Sequence, residues 1–245
     1  MSTSDDTIYT HDGNSADERA IARLRELGAA TVHEALGRIG AMDSAIKPLD
    51  PQMRVAGRAL TVDSAPGDNL MIQYAVSIAR PGDVLVVDAK GFTEAGTWGD
   101  VLSLYAQQVG LAGLVVNGGV RDSQEIISMG FPVFSRSVSI KGTGKYHPGG
   151  VKVPVLCAGV TVQPGDIVVG DADGIVVVPA QDLRRAVELS EAREVKEQAM
   201  RSQLRDGASL VDLMGLRERL DSLGFRRPSE PVPQPAESST PSLRP

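Results

Sequence analysis

From Val55 to Val178 the chain keeps one texture, short runs of Val, Leu and Ile, each cut off by Gly, Pro or Asp. The clearest runs are residues 59–62, 84–87, 114–116, 133–134, 153–156, 167–169 and 175–178. Short apolar runs bounded by Gly, Pro and Asp read as strands. Helix-length segments at 70–79, 101–109 and 123–129 separate some of these runs, whereas the later runs follow one another directly. That order predicts a mixed α/β sandwich rather than a pure doubly wound sheet. Pro-Gly-Asp recurs at 66–68, 81–83 and 164–166. The last two copies lead straight into apolar runs and read as turns that launch strands, because Pro presets φ and Gly supplies positive φ.

The flanks are different. Ile21, Leu24 and Leu27 follow helical spacing from Asp17, with Gly28 as a natural stop. Thr31 opens a second helix, and Glu34 three residues on makes Thr31-Val32-His33-Glu34 a capping box. Beyond Pro179 the chain becomes helical and charged. Leu183 and Val187 are four apart, and Leu210, Leu213, Leu216, Leu220 and Leu223 lie among Arg and Glu. Such an amphipathic extension must cover something, either a neighbouring subunit or its own domain. From Pro228 onward, 18 residues hold six Pro and four Ser, a composition expected to stay disordered. The chain thus divides into a disordered arm (1–16), an α/β domain (17–180), a helical extension (181–227) and a disordered Pro/Ser-rich tail (228–245).

Charge and cysteine content narrow the function classes. The 25 Lys and Arg against 31 Asp and Glu leave a formal charge of −6, which argues against a basic, phosphate-tracking nucleic-acid binder. No apolar run approaches the roughly 18 residues of a membrane span. The single cysteine, Cys157, excludes an internal disulfide and any Cys-based metal cluster. The start, Met1-Ser2-Thr3-Ser4-Asp5-Asp6, is unlike a signal or transit peptide, so a cytoplasmic protein is expected.

Two strand-to-helix junctions carry the chemistry. One is Thr97-Trp98-Gly99-Asp100-Val101-Leu102-Ser103 and the other Asn117-Gly118-Gly119-Val120-Arg121-Asp122-Ser123. Each delivers an Asp through a Gly-containing loop to the first turn of a helix, where free amides and the helix dipole make an anion site. Either Asp alone could be a simple N-cap. The second junction, however, sets Arg121, able to fork onto a carboxylate, beside Asp122, a hard oxygen ligand suited to Mg²⁺ or Mn²⁺. Gly118-Gly119 would let a small substrate lie against bare backbone. The pattern points to a small, anionic, oxygen-rich molecule.

The other reactive side chains have quieter readings. His11, His33 and His147 lack zinc-ligand spacing, and Cys157 sits in an apolar stretch as core filler. Trp98 fits either core or pocket wall. Lys145, in the Gly-rich loop Lys141-Gly142-Thr143-Gly144-Lys145, reads as a solvated lysine, a charge contact to substrate or a Schiff-base amine. No P-loop, dinucleotide fingerprint or nucleophile elbow is present, which weakens nucleotide cofactors and serine hydrolysis.

Taken together, the segments from about Leu27 to Gly224 resemble the 4-hydroxy-4-methyl-2-oxoglutarate/4-carboxy-4-hydroxy-2-oxoadipate aldolases, a group that shares its superfamily with the regulators of ribonuclease E activity. The resemblance is carried by Ala30-Thr31-Val32-His33-Glu34-Ala35, Ala65-Pro66-Gly67-Asp68-Asn69, Gly99-Asp100, Gly119-Val120-Arg121-Asp122, Met129-Gly130-Phe131-Pro132-Val133, Asp173-Gly174-Ile175 and Leu216-Arg217-Glu218-Arg219-Leu220, in that order and spacing. It implies an αββα sandwich like a phosphohistidine swivelling domain, with a C-terminal helical extension packing on a neighbouring subunit, in homotrimers or homohexamers with sites between subunits. It also implies Mg²⁺- or Mn²⁺-dependent retro-aldol cleavage that yields pyruvate. By the same resemblance Asp122 anchors the metal, largely through waters, Arg121 contacts pyruvate and Asp100 belongs to the water network. Gly99 and the amides of Val101 and Leu102 hold the substrate carboxylate, Lys145 lies nearby, and Glu197 reaches in from the neighbouring subunit. Val101 stands where the family usually has Leu, and the loop Tyr146-His147-Pro148-Gly149-Gly150 departs from the family pattern.

The implied chemistry agrees with the residue types. Breaking a carbon–carbon bond β to a ketone leaves an enolate, which a Lewis-acidic ion and a fixed guanidinium stabilise without a covalent amine. A metal-linked water tuned by Asp100 is the expected base. Loss of CO₂ from oxaloacetate would form the same enolate, so decarboxylase side activity is expected. Alternatives are a non-enzymatic protein-binding regulator of the ribonuclease E type, a Schiff-base aldolase using Lys145 and a dedicated oxaloacetate decarboxylase. Asp122 and the charged helical extension favour the metal enzyme.

Overall fold

The structure, a computed structural model, describes residues 15–225; His11 and the Pro/Ser-rich tail lie outside the described residues. Helix α1 (Ser15–Leu27) begins slightly ahead of the expected Asp17 and ends where Gly28 turns to positive φ (85°). Helix α2 (Ala29–Ala35) corrects the expected capping box. It starts at Ala29 rather than Thr31, and no side chain of its own N-cap residue, Gly28, can bond to it. The cap comes from far along the chain, the Asp171 carboxylate accepting the Ala29 amide at 2.8 Å. Glu34 turns instead to Arg38 and Arg193. A local four-residue pattern loses here to a carboxylate supplied by tertiary structure.

Four parallel strands form the centre of the main sheet: β2 (Val55–Asp63), β3 (Asp83–Gly96), β4 (Gly113–Val120) and β5 (Val133–Val138). Helices α3 (Leu70–Ser77), α4 (Asp100–Gln108) and α5 (Ser123–Met129) connect them in turn. The short β1 (Lys47–Pro48) pairs antiparallel with β5 on one side, and β9 (Ile167–Asp171) pairs antiparallel with β2 on the other, followed by β10 (Gly174–Val178). Off this path β6 (Gly150–Val151) pairs with β2. The sheet nearly closes, since a bridge joins Ala41 to Val176 and the Met42 amide bonds the Ile175 carbonyl at 2.9 Å. Where one apolar run was expected at 153–156, the chain forms a separate hairpin of β7 (Val155–Cys157) and β8 (Val160–Val162). The expected α/β class is present, as a nearly closed sheet flanked by helices.

Burial explains the apolar runs. Val84 to Val87 in β3 and Leu114 to Val116 in β4 have no exposed surface, so neither face of these strands meets water. One core gathers these residues with Trp98, Phe131 and Phe134. A second joins Leu24 and Val32 to Ile167, Val169 and Val176 and to Leu183 at the start of α6 (Leu183–Arg205).

Two compact units part within α6, one running through Lys196 and one from Glu197. The second unit holds the rest of α6 with α7 (Leu210–Leu213) and α8 (Leu216–Ser222), and it leaves Leu210, Met214 and Leu223 exposed. Among the described residues no helix is long and apolar enough to cross a membrane.

Candidate active site

The site grows from the adjacency of β3 and β4. Past Val87, β3 turns through left-handed Lys90 (φ 59°) and Gly91 (φ 69°), and its pairing with β4 shifts register twice before Gly96. The segment then lies against Gly118 and Gly119. A β-carbon on Gly119 would sit 2.6 Å from the Ala95 carbonyl oxygen, and one on Gly118 would sit 2.9 Å from Ala89 Cβ. The expectation that these glycines bare backbone to a substrate is thereby corrected. Both are buried, and the space beside them is filled by β3 itself.

Backbone bonds stitch the two junctions together. The Thr97 amide donates to the Gly119 carbonyl at 2.9 Å, and the Arg121 amide donates to the Trp98 carbonyl at 2.8 Å. Trp98 is core and cavity wall at once. It stacks on Phe131 with ring centroids 6.0 Å apart, and its indole N–H donates to Ser103 Oγ at 2.6 Å. Ser103 in turn donates to the Gly99 carbonyl, which fixes the entry into α4.

Asp122 precedes α5 in the left-handed region (φ 54°, ψ 41°) without capping that helix. Asp tolerates this conformation better than most residues. Its Oδ2 accepts instead from the Asp100 amide at 3.4 Å and from Arg121 Nε at 3.3 Å. Gly99 makes this approach possible, since a β-carbon there would collide with Asp122 Oδ2 and stand 3.2 Å from Arg121 Nε.

A cavity of about 410 Å³ is bordered by Gly99, Asp100, Val101, Leu102, Arg121 and Lys145, with Asp122 behind this lining rather than part of it. Those sequence-predicted residues are therefore brought together, and Asp122 adjoins them through its bonds to Asp100 and Arg121. Glu197 belongs to the second compact unit, where its carboxylate accepts from Arg201 at 2.8 Å. Sequence reasoning missed Asn69 and Gln73 as cavity residues. Asn69 occupies the N-cap position of α3 without capping it. Its amide donates to the Thr97 carbonyl at 3.1 Å and its oxygen accepts from Gln73 at 3.0 Å. The available signal was an Asn directly before an apolar helix, which reads as an ordinary cap.

The electrostatics are split. Among the described residues, no side-chain acceptor takes the terminal nitrogens of Arg121, and none takes the exposed Lys145 ammonium. The Val101 and Leu102 amides belong to the first turn of α4, where the first intrahelical bond is Ser103 to Gly99. These donors suit an anion. Asp100 and Asp122 are hard oxygen donors that suit a cation. Among the described residues there is no group of three or more His, Cys, Asp or Glu placed to hold a metal ion. One or two carboxylates fit an ion that keeps most of its waters, as Mg²⁺ does, and do not fit a closed tetrahedral site.

The quieter residues behave structurally. His33 Nδ1 lies 3.0 Å from the Ile39 carbonyl oxygen. Burial, and then the charge of Asp88, push the Cys157 thiol up to about 12, so it is no nucleophile near neutrality.

The family model described as RraA-like, Aldolase/RraA, matches residues 29–177. The chain belongs to the RraA-like family. This RraA-like chain is 34% identical over 203 residues to a protein of Halalkalibacterium halodurans named "Putative 4-hydroxy-4-methyl-2-oxoglutarate aldolase", spanning 83% of this chain and 94% of the relative. Among solved structures, an uncharacterized protein from Pseudomonas syringae pv. tomato aligns with a TM-score of 0.74 at 28% identity, over 81% of this chain and 94% of that one. Streptomyces coelicolor RraAS2, an unusual member of the RNase ES inhibitor RraA protein family, aligns with a TM-score of 0.69 at 30% identity, over 76% and 98% of the two chains. The RraA-like match contains both junctions and every cavity residue named above.

Proposed function

We propose that this chain is a divalent-metal-dependent aldolase that cleaves a 4-hydroxy-2-keto acid carrying two or three carboxylates. The substrates that fit are 4-hydroxy-4-methyl-2-oxoglutarate, giving two pyruvates, and 4-carboxy-4-hydroxy-2-oxoadipate, giving pyruvate and oxaloacetate. The observation that carries this reading is the Asp122 carboxylate held against the start of α4, with the Arg121 guanidinium beside it facing a cavity. The aldolase name of the Halalkalibacterium relative supports the same reaction class.

Asp122, with Asp100 nearby, would hold Mg²⁺ or Mn²⁺. Bound there, the ion would supply Lewis-acid stabilisation of the charge that develops on the 2-keto oxygen. Arg121 forks onto the 2-keto acid, and the Val101 and Leu102 amides fix its carboxylate at the positive end of α4. Asp100, through a water, receives the proton of the C4 hydroxyl. The C3–C4 bond then breaks, its electron pair passes into the pyruvate enolate, and C4 becomes the ketone carbon of the second product. Return of a proton to C3 completes pyruvate. Oxaloacetate losing CO₂ would reach the same enolate, so decarboxylation is a side activity of this site.

The assembly belongs to the proposal. A homotrimer or homohexamer would let the helical extension, with its exposed Leu210, Met214 and Leu223, cover a neighbouring subunit. Glu197 of that neighbour would then complete the water network.

A second reading, a non-enzymatic regulator, draws on the likeness to the Streptomyces protein. Pyruvate release from 4-hydroxy-4-methyl-2-oxoglutarate, measured with Mg²⁺ and again after EDTA, separates the two. Metal-dependent release is expected; no turnover on any 2-keto acid would favour the regulator.

A further inference from the structure

Pro66-Gly67-Asp68 is the Pro-Gly-Asp turn that launches no strand. It leads into α3 by way of Asn69, and its aspartate is almost wholly buried, with 2% of its surface exposed. Both oxygens of that carboxylate are occupied. Oδ1 accepts from the Leu70 amide at 2.9 Å. Oδ2 accepts from the Tyr146 amide at 2.7 Å and from the His147 amide at 3.2 Å, and it lies 3.2 Å from His147 Nδ1. Burial works against the charged form, but the amides of Tyr146, Leu70 and His147 and the His147 ring outweigh it and hold the carboxyl below its usual range.

The partners on the far side of this clasp belong to the segment between β5 and β6, residues 139–149, which forms no helix or strand. Its Gly144 is bridged to Asp68, with the Gly144 amide donating to the Gly67 carbonyl at 2.8 Å and the Asn69 amide donating to the Gly144 carbonyl at 3.1 Å. Lys145 stands between Gly144 and the two residues whose amides Asp68 takes. Irregular segments wander unless tied down. This one is tied immediately on both sides of its cavity-facing lysine. Asn69 links the same turn to Thr97, so the clasp shares a footing with the first junction.

We infer that Asp68 is a positioning residue which, by clasping residues 144–147, sets Lys145 in the cavity as the counter-charge for a second carboxylate and so selects dicarboxylic 2-keto acids. The inference rests on the aldolase reading and deepens it by giving the distal end of the substrate a charge. Arg121 and the α4 amides account for the 2-keto acid end, and Lys145 is the remaining cavity-lining cation. An Asn at position 68 cannot replace the clasp. Either orientation of its amide puts an NH₂ group against backbone N–H donors, on the Leu70 side or the Tyr146 side.

The test compares two reactions of the Mg²⁺-loaded full chain, cleavage of 4-hydroxy-4-methyl-2-oxoglutarate and exchange of the C3 protons of pyruvate with deuterium, read by NMR. Pyruvate has no second carboxylate. In Asp68→Asn the ratio of cleavage kcat/KM to pyruvate exchange is expected to fall about tenfold, through KM, as does loss of one charge-assisted contact. Lys145→Ala should lower the ratio as much, and the double variant no further, since both act on one contact. Gly144→Ala is the second probe, independent of whether Asp68→Asn folds. Its β-carbon would meet Asp68 Oδ2 at 3.1 Å and the Tyr146 ring at 3.2 Å, and should shift the ratio in the same direction. Parallel loss of both reactions, an unchanged ratio in Gly144→Ala, or additive effects of Asp68→Asn and Lys145→Ala would each overturn the clasp. A wild-type chain that performs neither reaction would instead overturn the aldolase reading beneath it.

Discussion

Asp122 Oδ2 lies 3.4 Å from the backbone nitrogen of Asp100, a residue 22 positions earlier at the start of a different helix. The contact exists because β3 and β4 are parallel neighbours, so the helices that follow them begin side by side. Asp122 thus leaves its own helix uncapped and spends its carboxylate where Arg121 and the α4 amides converge. Asp122→Asn tests this cleanly, because Asn tolerates the left-handed backbone as Asp does. Turnover is expected to fall by about 100-fold or more, with stimulation by Mg²⁺ lost. Melting temperature should stay within roughly 2 °C, the scale of a surface change. Metal-stimulated turnover by the variant, in a pyruvate-release assay, would leave Asp122 a structural role only.

Arg121→Lys keeps the charge and removes the fork. Its Nε already bonds Asp122, so the two remaining nitrogens are the ones able to grip a carboxylate in bidentate fashion. An ammonium offers a point charge without that geometry. We expect kcat/KM to drop by about 100-fold, roughly 2.7 kcal/mol of transition-state stabilisation. Steady-state kinetics within threefold of wild type would remove Arg121 from substrate orientation.

Gly99→Ala adds one carbon at an extended position (φ −148°) that any residue can adopt. Backbone strain is therefore excluded, and what remains is the collision with Asp122 Oδ2 and the close approach to Arg121 Nε. The side chains must move, and displacements of about 1 Å cost on the order of 100-fold in rate. Trp98 adjoins Gly99 and is the chain's single tryptophan, so its fluorescence reports whether the local fold survives. The expected result is native-like emission with activity nearly gone; normal activity would show that the Asp122 approach is dispensable.

The strands most deeply covered were the most legible from sequence. Runs 84–87 and 114–116 have no exposed surface, and helix 123–129 emerges with the expected bounds. The far half of β3 was not legible. Residues 88–96 are polar and Gly-rich, and they become strand only because Lys90 and Gly91 turn the chain toward Gly118 and Gly119. That same tertiary pairing is why the two glycines read as a substrate platform and prove to be packing positions. In the site, both aspartates were placed at helix starts by local pattern. Their meeting depends on β3 lying next to β4, which apolar runs do not specify. Asn69 was hidden for a related reason, since a side chain bonding across to Thr97 looks, in sequence, like a cap.

The misread start of α2 yields a prediction of its own. Asp171 closes β9 and caps α2 through the Ala29 amide, while its other oxygen accepts the Asp173 amide. Asp171→Ala should cost about 1 kcal/mol, the usual value of a lost cap. For a chain of this size that is a fall of roughly 2–4 °C in melting temperature. Pyruvate release at 25 °C should be unaffected, because the cap lies outside the cavity. A change in melting temperature below half a degree would mean that Thr31 or water takes over the capping.

Cys157 gives the fold a signature at alkaline pH. Burial first, and then the negative charge of Asp88, push its thiol from an ordinary value of 9.0 up to about 12. The unfolded chain therefore releases this proton at lower pH than the folded one. Where the unfolded state binds fewer protons, stability falls as pH rises. The contribution is complete below about pH 9 and is lost progressively as pH climbs from there toward 12. Cys157→Ala removes the titrating group, though the lost sulfur lowers stability at every pH by a constant amount. Denaturant melts of both proteins from pH 7 to 10.5 should show curves that are parallel below pH 8.5 and converge above it. Curves that stay parallel to pH 10.5 would mean that the thiol, although buried beside the Val87 carbonyl, ionises in the folded chain as easily as in the unfolded one.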